Sequence, residues 1–301
     1  MWNARNSRAL VLGCVAGLLL AGACAVYNES CPITNPEVWG LISVDLDIRK
    51  AYVRQCEAPV GNFLADALLN YPYGLRDGDA DVPVRVAVIN GGAIRDKVIC
   101  GEAGASRERI PRGPITDQDV FQLLPFYEDS VVVVRMNGLQ LRKVLERAVS
   151  SLGTSGSEGQ RGYYLHVAAE RGVQVQVDCS LTPQTLSPDA TIILQEGTRV
   201  TSACIGTPCA PLLDDGTYYV AMLDYMVGED DNGVPNDGFV ALHEPDIKVL
   251  QTYLPVIDVV KAWIQGYPAT VPEGVTYPSV EGRILTTNCS LPDCSEVPGG
   301  S

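Results

Sequence analysis

Val84-Arg85-Val86-Ala87-Val88-Ile89-Asn90-Gly91-Gly92-Ala93-Ile94-Arg95-Asp96 is the stretch on which the reading of this chain turns. Its first half is a β-branched apolar run with the length and composition of a buried strand. Two glycines follow, which let the backbone turn sharply and come close to a ligand. Asn90 and Arg95 flank them with an amide and a forked cation, a pair suited to phosphate. A plainer reading stays open for both: Asn90 as a turn cap, and Arg95 as the partner of Asp96 or of a helix end.

Working outward, Pro59 to Tyr71 carries Val60, Phe63, Leu64, Ala67 and Leu68 at helical spacing, with Pro59 in the first turn. Thr116 and Asp119 resemble a capping box that opens a short helix ended by Pro125. Val131 to Arg135 reads as a strand, and Gly138 leads an amphipathic helix to Leu152. Val173 to Val177, Thr191 to Leu194 and Tyr218 to Asp224 read as strands, and Ser155 to Arg161 as a loop. Asp246 to Ile264 reads as a helix interrupted at Pro255. Helices and strands mix irregularly and no repeat is present, which predicts one α/β (α+β) domain built on a single mixed sheet.

The 301 residues suffice for one large domain, and 46% hydrophobic with 19% charged residues describe a globular chain. The formal charge of −14 argues against nucleic acid or an anionic lipid surface as partner, but not against a small phosphorylated ligand in a locally basic pocket. Arg5, Arg8, the apolar run Ala9 to Leu20 and Ala21-Gly22-Ala23 have the pattern of an export signal over residues 1–24. Cys24 follows directly, so lipidation there, the one route to a membrane, and plain secretion both fit; either gives an exported protein, periplasmic, extracellular or lipid-anchored at the cell surface. Eight further cysteines remain beyond Cys14 and Cys24, an even number that suggests disulfides. Cys204/Cys209 and Cys289/Cys294 are the expected local pairs, with a structural zinc site as the rival reading.

Four short segments then occur in one order: Val60-Gly61-Asn62-Phe63-Leu64-Ala65-Asp66-Ala67; Asn90 to Arg95; Ile115-Thr116, Leu124-Pro125-Phe126 and Asn137-Gly138-Leu139-Gln140-Leu141 up to Glu146; and Asp224-Tyr225 with Asn236-Asp237-Gly238-Phe239. This array resembles the C-terminal domain of the 5′-nucleotidase family, which also includes UDP-sugar hydrolases and cyclic nucleotide phosphodiesterases. The resemblance covers about residues 40–286, which leaves 25–39 as a lead-in and 287–301 as a cysteine-containing tail. It implies a nucleotide-binding domain. Asn90 and Arg95 would contact phosphate, Tyr164 and Tyr225 would take the places of two base-stacking aromatics, and Asp237 would hold the ribose hydroxyls. Bland alternatives stand beside these roles. The two tyrosines could be core-edge residues, and the acidic insertion Gly228 to Pro235 lengthens the stretch before Asp237; it could bind calcium or simply be a solvated loop. Arg76 is a further candidate phosphate ligand.

Family hydrolysis is implied to need two divalent metals, held in a separate metallophosphoesterase domain by histidine-rich motifs. This chain has two histidines, His166 and His243, neither in such a motif, so no catalytic residue, metal ligand or cofactor is assigned to it. The expectation is an exported domain that binds a nucleotide or nucleoside-type molecule and does not hydrolyse it alone. The alternatives are a subunit completed by a separate metallophosphoesterase chain, and a structural or interaction protein with a degenerate pocket.

Overall fold

Val86–Asn90, the apolar run ahead of the glycines, is buried at every residue and is an inner strand of a five-stranded sheet. The computed structural model describes residues 35–96, 107–126, 128–266 and 278–296. The strands of its two larger sheets are, in chain order, β1 (Val86–Asn90), β2 (Ser130–Asn137), β3 (Leu165–Ala169), β4 (Val173–Asp178), β5 (Val200–Ile205), β6 (Ala210–Pro211), β7 (Thr217–Leu223), β8 (Lys248–Pro255) and β9 (Ile284–Thr287). The helices used below are α1 (Pro59–Asn70), α2 (Asp117–Leu123), α3 (Gly138–Val149), α4 (Asp224–Val227) and α5 (Val256–Gly266). The five-stranded sheet has the order β8-β2-β7-β1-β3; β1 runs parallel to β7 and the other neighbours are antiparallel. The four-stranded sheet has the order β6-β5-β4-β9, with β9 parallel to β4.

Side-chain alternation along the strands divides the core into two layers. Ala87, Ile89, Val131, Val133, Ala221 and Leu223 face the layer that holds α1 and α5. Val86, Val88, Val132, Val134, Val220 and Met222 face the opposite layer, filled by α3 and the smaller sheet. The central strands are thus apolar on both sides, which is why they read as unbroken Val- and Ile-rich runs. The result is the mixed α/β fold expected from the sequence. α2 carries the foreseen capping box, with Asp119 N–H donating to Thr116 Oγ1 at 3.2 Å and Thr116 N–H to Asp119 Oδ2 at 2.9 Å. A second box, Asn137 with Gln140, opens α3 and was not read from the sequence.

Some expectations are corrected. Asp246–Ile264 is not one interrupted helix: Lys248–Pro255 is an edge strand paired with β2, and the helix begins only at Val256. The apolar residues there fit either period, and the open edge of β2 decides for strand. The expected strand at Thr191–Leu194 shortens to Ile193–Gln195. Cys204 pairs with Cys209 as expected, but Cys289 pairs with Cys179 and Cys294 with Cys56. The reason is β9, which runs alongside β4 with Thr287 opposite Asp178 and so delivers Cys289 beside Cys179. The signal segment, Cys24, Cys31 and Cys100 lie outside the described residues.

Candidate functional site

The buried strand β1 ends at Asn90, which is 2% exposed. Beyond it the chain turns against its neighbours: Gly91 N–H donates to Tyr164 O and Gly92 N–H to Gly162 O, both at 2.7 Å. A Cβ on Gly91 would lie 2.3 Å from Val53 O, and one on Gly92 3.0 Å from Gly162 Cα. Gly91 is therefore required for close backbone packing against protein, while Gly92 packs tightly on Gly162 and also lines the adjoining cavity, where the backbone can come close to a ligand. This packing aims Asn90 and Arg95 into that cavity of about 150 Å³, whose walls include Asn90, Arg95, Phe126, Asp129, Tyr225 and Asp237.

Each wall residue is positioned by a definite piece of backbone. Arg95 is held by its N–H on Leu123 O, at 3.1 Å, and its guanidinium lies 4.7 Å from the Phe126 ring centre. Its Nε is buried and has no partner among the described residues. Asn90 Nδ2 reaches Asp237 Oδ2 at 3.4 Å, while its Oδ1 is likewise buried and unpartnered. Asp237 sits at φ 54°, a left-handed conformation that Asp tolerates better than most side chains. Arg147 Nε donates to Asp237 O at 2.9 Å, and the Arg147 guanidinium lies 3.9 Å from the centre of the Tyr163 ring. Tyr225, on the short α4, is 40% exposed.

The electrostatics follow from this crowding. Burial pushes the Asp237 carboxyl above its ordinary range, and Arg147, Asn90, Arg54 and Arg95 work against that shift. Burial lowers Arg54, and the like charge of Arg95 lowers it further. Burial raises the Tyr225 phenol, with the Asp237 charge adding to it. The Asp129 carboxyl is pushed up to about 6 by burial first and then by Asp224 and Glu128. Arg54, Arg95 and Arg147 all act on the Asp237 carboxyl, and Arg95, in the cavity wall with its Nε unpartnered, keeps capacity for an anionic guest. Among the described residues no three His, Cys, Asp or Glu side chains gather as a metal-binding group.

Of the five residues singled out in the sequence, Asn90, Arg95, Tyr225 and Asp237 meet at this cavity. Tyr164 does not. It is 2% exposed, with its ring edge-on to His166 at a centroid distance of 5.4 Å. Its segment enters the buried strand β3, and the neighbouring residue that reaches the cavity wall is Gly162. The second aromatic face at the cavity is Phe126, 44% exposed. In the sequence Phe126 stands out only as part of a motif. Arg54, Asp129 and Arg147 do not stand out at all, because no local pattern marks a residue whose neighbours come from distant segments. Arg76 is remote in role, donating to Asp79 O in a surface turn. His166 Nε2 donates to Val53 O at 2.9 Å, and His243 faces Glu229 at 3.1 Å. In the acidic insertion, Asp230 accepts from the backbone of Asn232 and Val234.

Fold and cavity together define an α/β domain with a pocket whose wall combines the Arg95 guanidinium, the Asp129 and Asp237 carboxylates and two exposed aromatic rings, Phe126 and Tyr225. The profile of the family described as 5′-nucleotidase, C-terminal domain, matches residues 34–236. The chain belongs to that family. The 5′-nucleotidase of Bos taurus is 25% identical over 244 residues, which cover 81% of this chain and 36% of that protein. The trifunctional nucleotide phosphoesterase protein YfkN of Bacillus subtilis is 31% identical over 129 residues, 43% of this chain and 8% of that protein. The solved 5′-nucleotidase precursor of Thermus thermophilus matches with a TM-score of 0.60 at 27% identity, over 84% of this chain and 40% of that one. The chain therefore spans two fifths or less of the length of these proteins.

Proposed function

We propose that the cavity holds a nucleotide or nucleoside-type molecule, and that the protein is an exported binding domain that does not hydrolyse its guest alone. The observation that carries this reading is the meeting of Asn90, Arg95, Tyr225 and Asp237 around one cavity, although Asn90 and Asp237 are 147 residues apart in sequence. Each supplies what one part of a nucleotide needs. Arg95 and the nearby Arg54 offer N–H forks to phosphate. Tyr225 and Phe126 offer faces on which a base can stack, worth about 1–3 kcal/mol each. The Asp237 carboxylate can accept both hydrogens of a ribose diol. The unpartnered Arg95 Nε and Asn90 Oδ1 are polar atoms that a guest would satisfy. Support for export comes from the signal-like N-terminus and from three disulfide bonds among the described residues. Those residues contain no helix long and apolar enough to cross a membrane.

Titration calorimetry with AMP, adenosine and UDP-glucose tests the reading. Wild type binds AMP saturably, and Arg95→Ala weakens AMP about tenfold or more while changing adenosine, which lacks the phosphate, much less. No heat with any of the three ligands or with GMP, or identical AMP binding by Arg95→Ala, overturns it. The hydrolytic names of the relatives motivate a second proposal, a phosphoesterase completed by a separate metal-binding chain. Phosphate release from AMP with Mn²⁺ by the purified chain alone would contradict both the binder and the split enzyme.

A further inference from the structure

Among the described residues, Asp129 is the acidic group at the cavity whose charge is left uncompensated. The neighbouring Asp224 carboxylate accepts from the backbone of Ser130 and Tyr225, and Asp237 has Arg147 and Asn90 beside it. No described group donates to the Asp129 side chain, and the charges that act on its carboxyl, Asp224 and Glu128, are of its own sign. Its backbone is nevertheless fixed at both ends. Asp129 N–H donates to Phe126 O at 2.9 Å, and Asp129 O accepts from Val256 N–H at 3.0 Å. β2 starts at the next residue, and its register sets Val131 opposite Leu223. Asp129 and Tyr225, the latter on the helix that follows β7, both line the cavity, and the Tyr225 phenol feels the Asp129 charge. A half-buried, rigidly placed carboxylate therefore waits beside an aromatic face for hydrogen-bond donors that the described residues do not provide.

We propose that Asp129 reads the edge of the base stacked on Tyr225 and thereby selects a guanine nucleotide. The inference rests on the nucleotide reading above and specifies its ligand. An ionised carboxylate only accepts hydrogen bonds, and its two oxygens match two adjacent N–H donors. Guanine presents that pair on its Watson–Crick edge, at N1 and the 2-amino group. Adenine and cytosine place a ring-nitrogen acceptor beside the amino group, and uracil flanks its single N–H with two carbonyl oxygens. Each of these would set a lone pair against the carboxylate in a half-buried site, where the mismatch costs most. Near neutral pH the carboxylate is ionised, since its titration is centred at about 6.

The test is calorimetric titration of the full chain and of Asp129→Asn at pH 7.5 with GMP, IMP, AMP and xanthosine monophosphate. Wild type prefers GMP over AMP by about 10- to 100-fold, the range of one good bidentate pair. IMP falls between them because it keeps N1–H and lacks the 2-amino group. The Asn amide exchanges one acceptor for a donor, so Asp129→Asn loses the GMP preference and gains affinity for xanthosine monophosphate, whose 2-oxo group accepts. That gain cannot come from a misfolded variant. Equal binding of GMP and AMP by wild type, or an unchanged ligand order in Asp129→Asn, overturns the selection while leaving nucleotide binding standing. If none of the four nucleotides binds, both readings fall.

Discussion

His166 is fully buried, and its Nε2 is committed to Val53 O at 2.9 Å. Burial first, and Arg283 as a further charge, hold its pKa down to about 4 from the ordinary 6.5. The ring is neutral in the fold, so the unfolded chain binds more protons below pH 6.5, and stability falls as pH drops from about 6.5 toward 4. At pH 5 that linkage removes about 2 kcal/mol relative to pH 7. Urea unfolding at the two pH values should show wild type losing this much more than His166→Gln; equal losses would remove His166 from the acid sensitivity. At the same scale the sequence was informative where chemistry is local. An Asn and an Arg after a buried strand, and an Asp in Asn236-Asp237-Gly238, could be picked out and do share a cavity. Tyr164 takes the core-edge place that stood beside its stacking role: it is buried edge-on to His166, while the adjoining Tyr163 receives Arg147 on its ring, a division that no local pattern marks.

Among the elements, α1 shows packing overruling propensity. Gly61 lies inside a helix, where alanine would normally stabilise by about 1 kcal/mol. Here a Cβ would fall 2.0 Å from the buried His166 ring. Gly61→Ala is therefore expected to destabilise by about 2–3 kcal/mol, read as a lower urea midpoint with an unchanged slope; a midpoint at or above that of wild type would show that the ring yields cheaply. Capping and amphipathic spacing are local, so α1, α2 and α3 were legible in sequence. Lys248–Pro255 was not, because strand and helix competed for the same apolar residues and the contest was settled by hydrogen bonds to β2. Leu165–Ala169 and Val200–Ile205 were also missed as strands.

Over the whole molecule, the C-terminal segment is tied back into the body. β9 completes the smaller sheet, and Arg283 pairs with Asp66 on α1 through two contacts of 2.8 Å. Cys179–Cys289 and Cys56–Cys294 close loops with sequence separations of 110 and 238. β9 ends at Thr287, one residue past the boundary drawn after residue 286. Peptide mapping without reduction should join Cys294 to Cys56 and Cys289 to Cys179; a Cys289–Cys294 peptide would contradict the topology. Removing the longer bridge with Cys56→Ser/Cys294→Ser is expected to cost about 3–5 kcal/mol, because the unfolded chain regains the freedom of a long loop.

The sequence by itself determined the family resemblance, the mixed α/β class, the principal helices and four of the cavity residues. All of these are written in short-range spacing and side-chain chemistry, which act within a few residues. Only the tertiary structure decided which tyrosine faces the cavity, which cysteines meet, and that Arg54, Phe126 and Asp129 join the site. Those outcomes depend on strand register and on contacts between segments distant along the chain. Shifting a strand by one residue exchanges its two faces, and no local pattern fixes that choice.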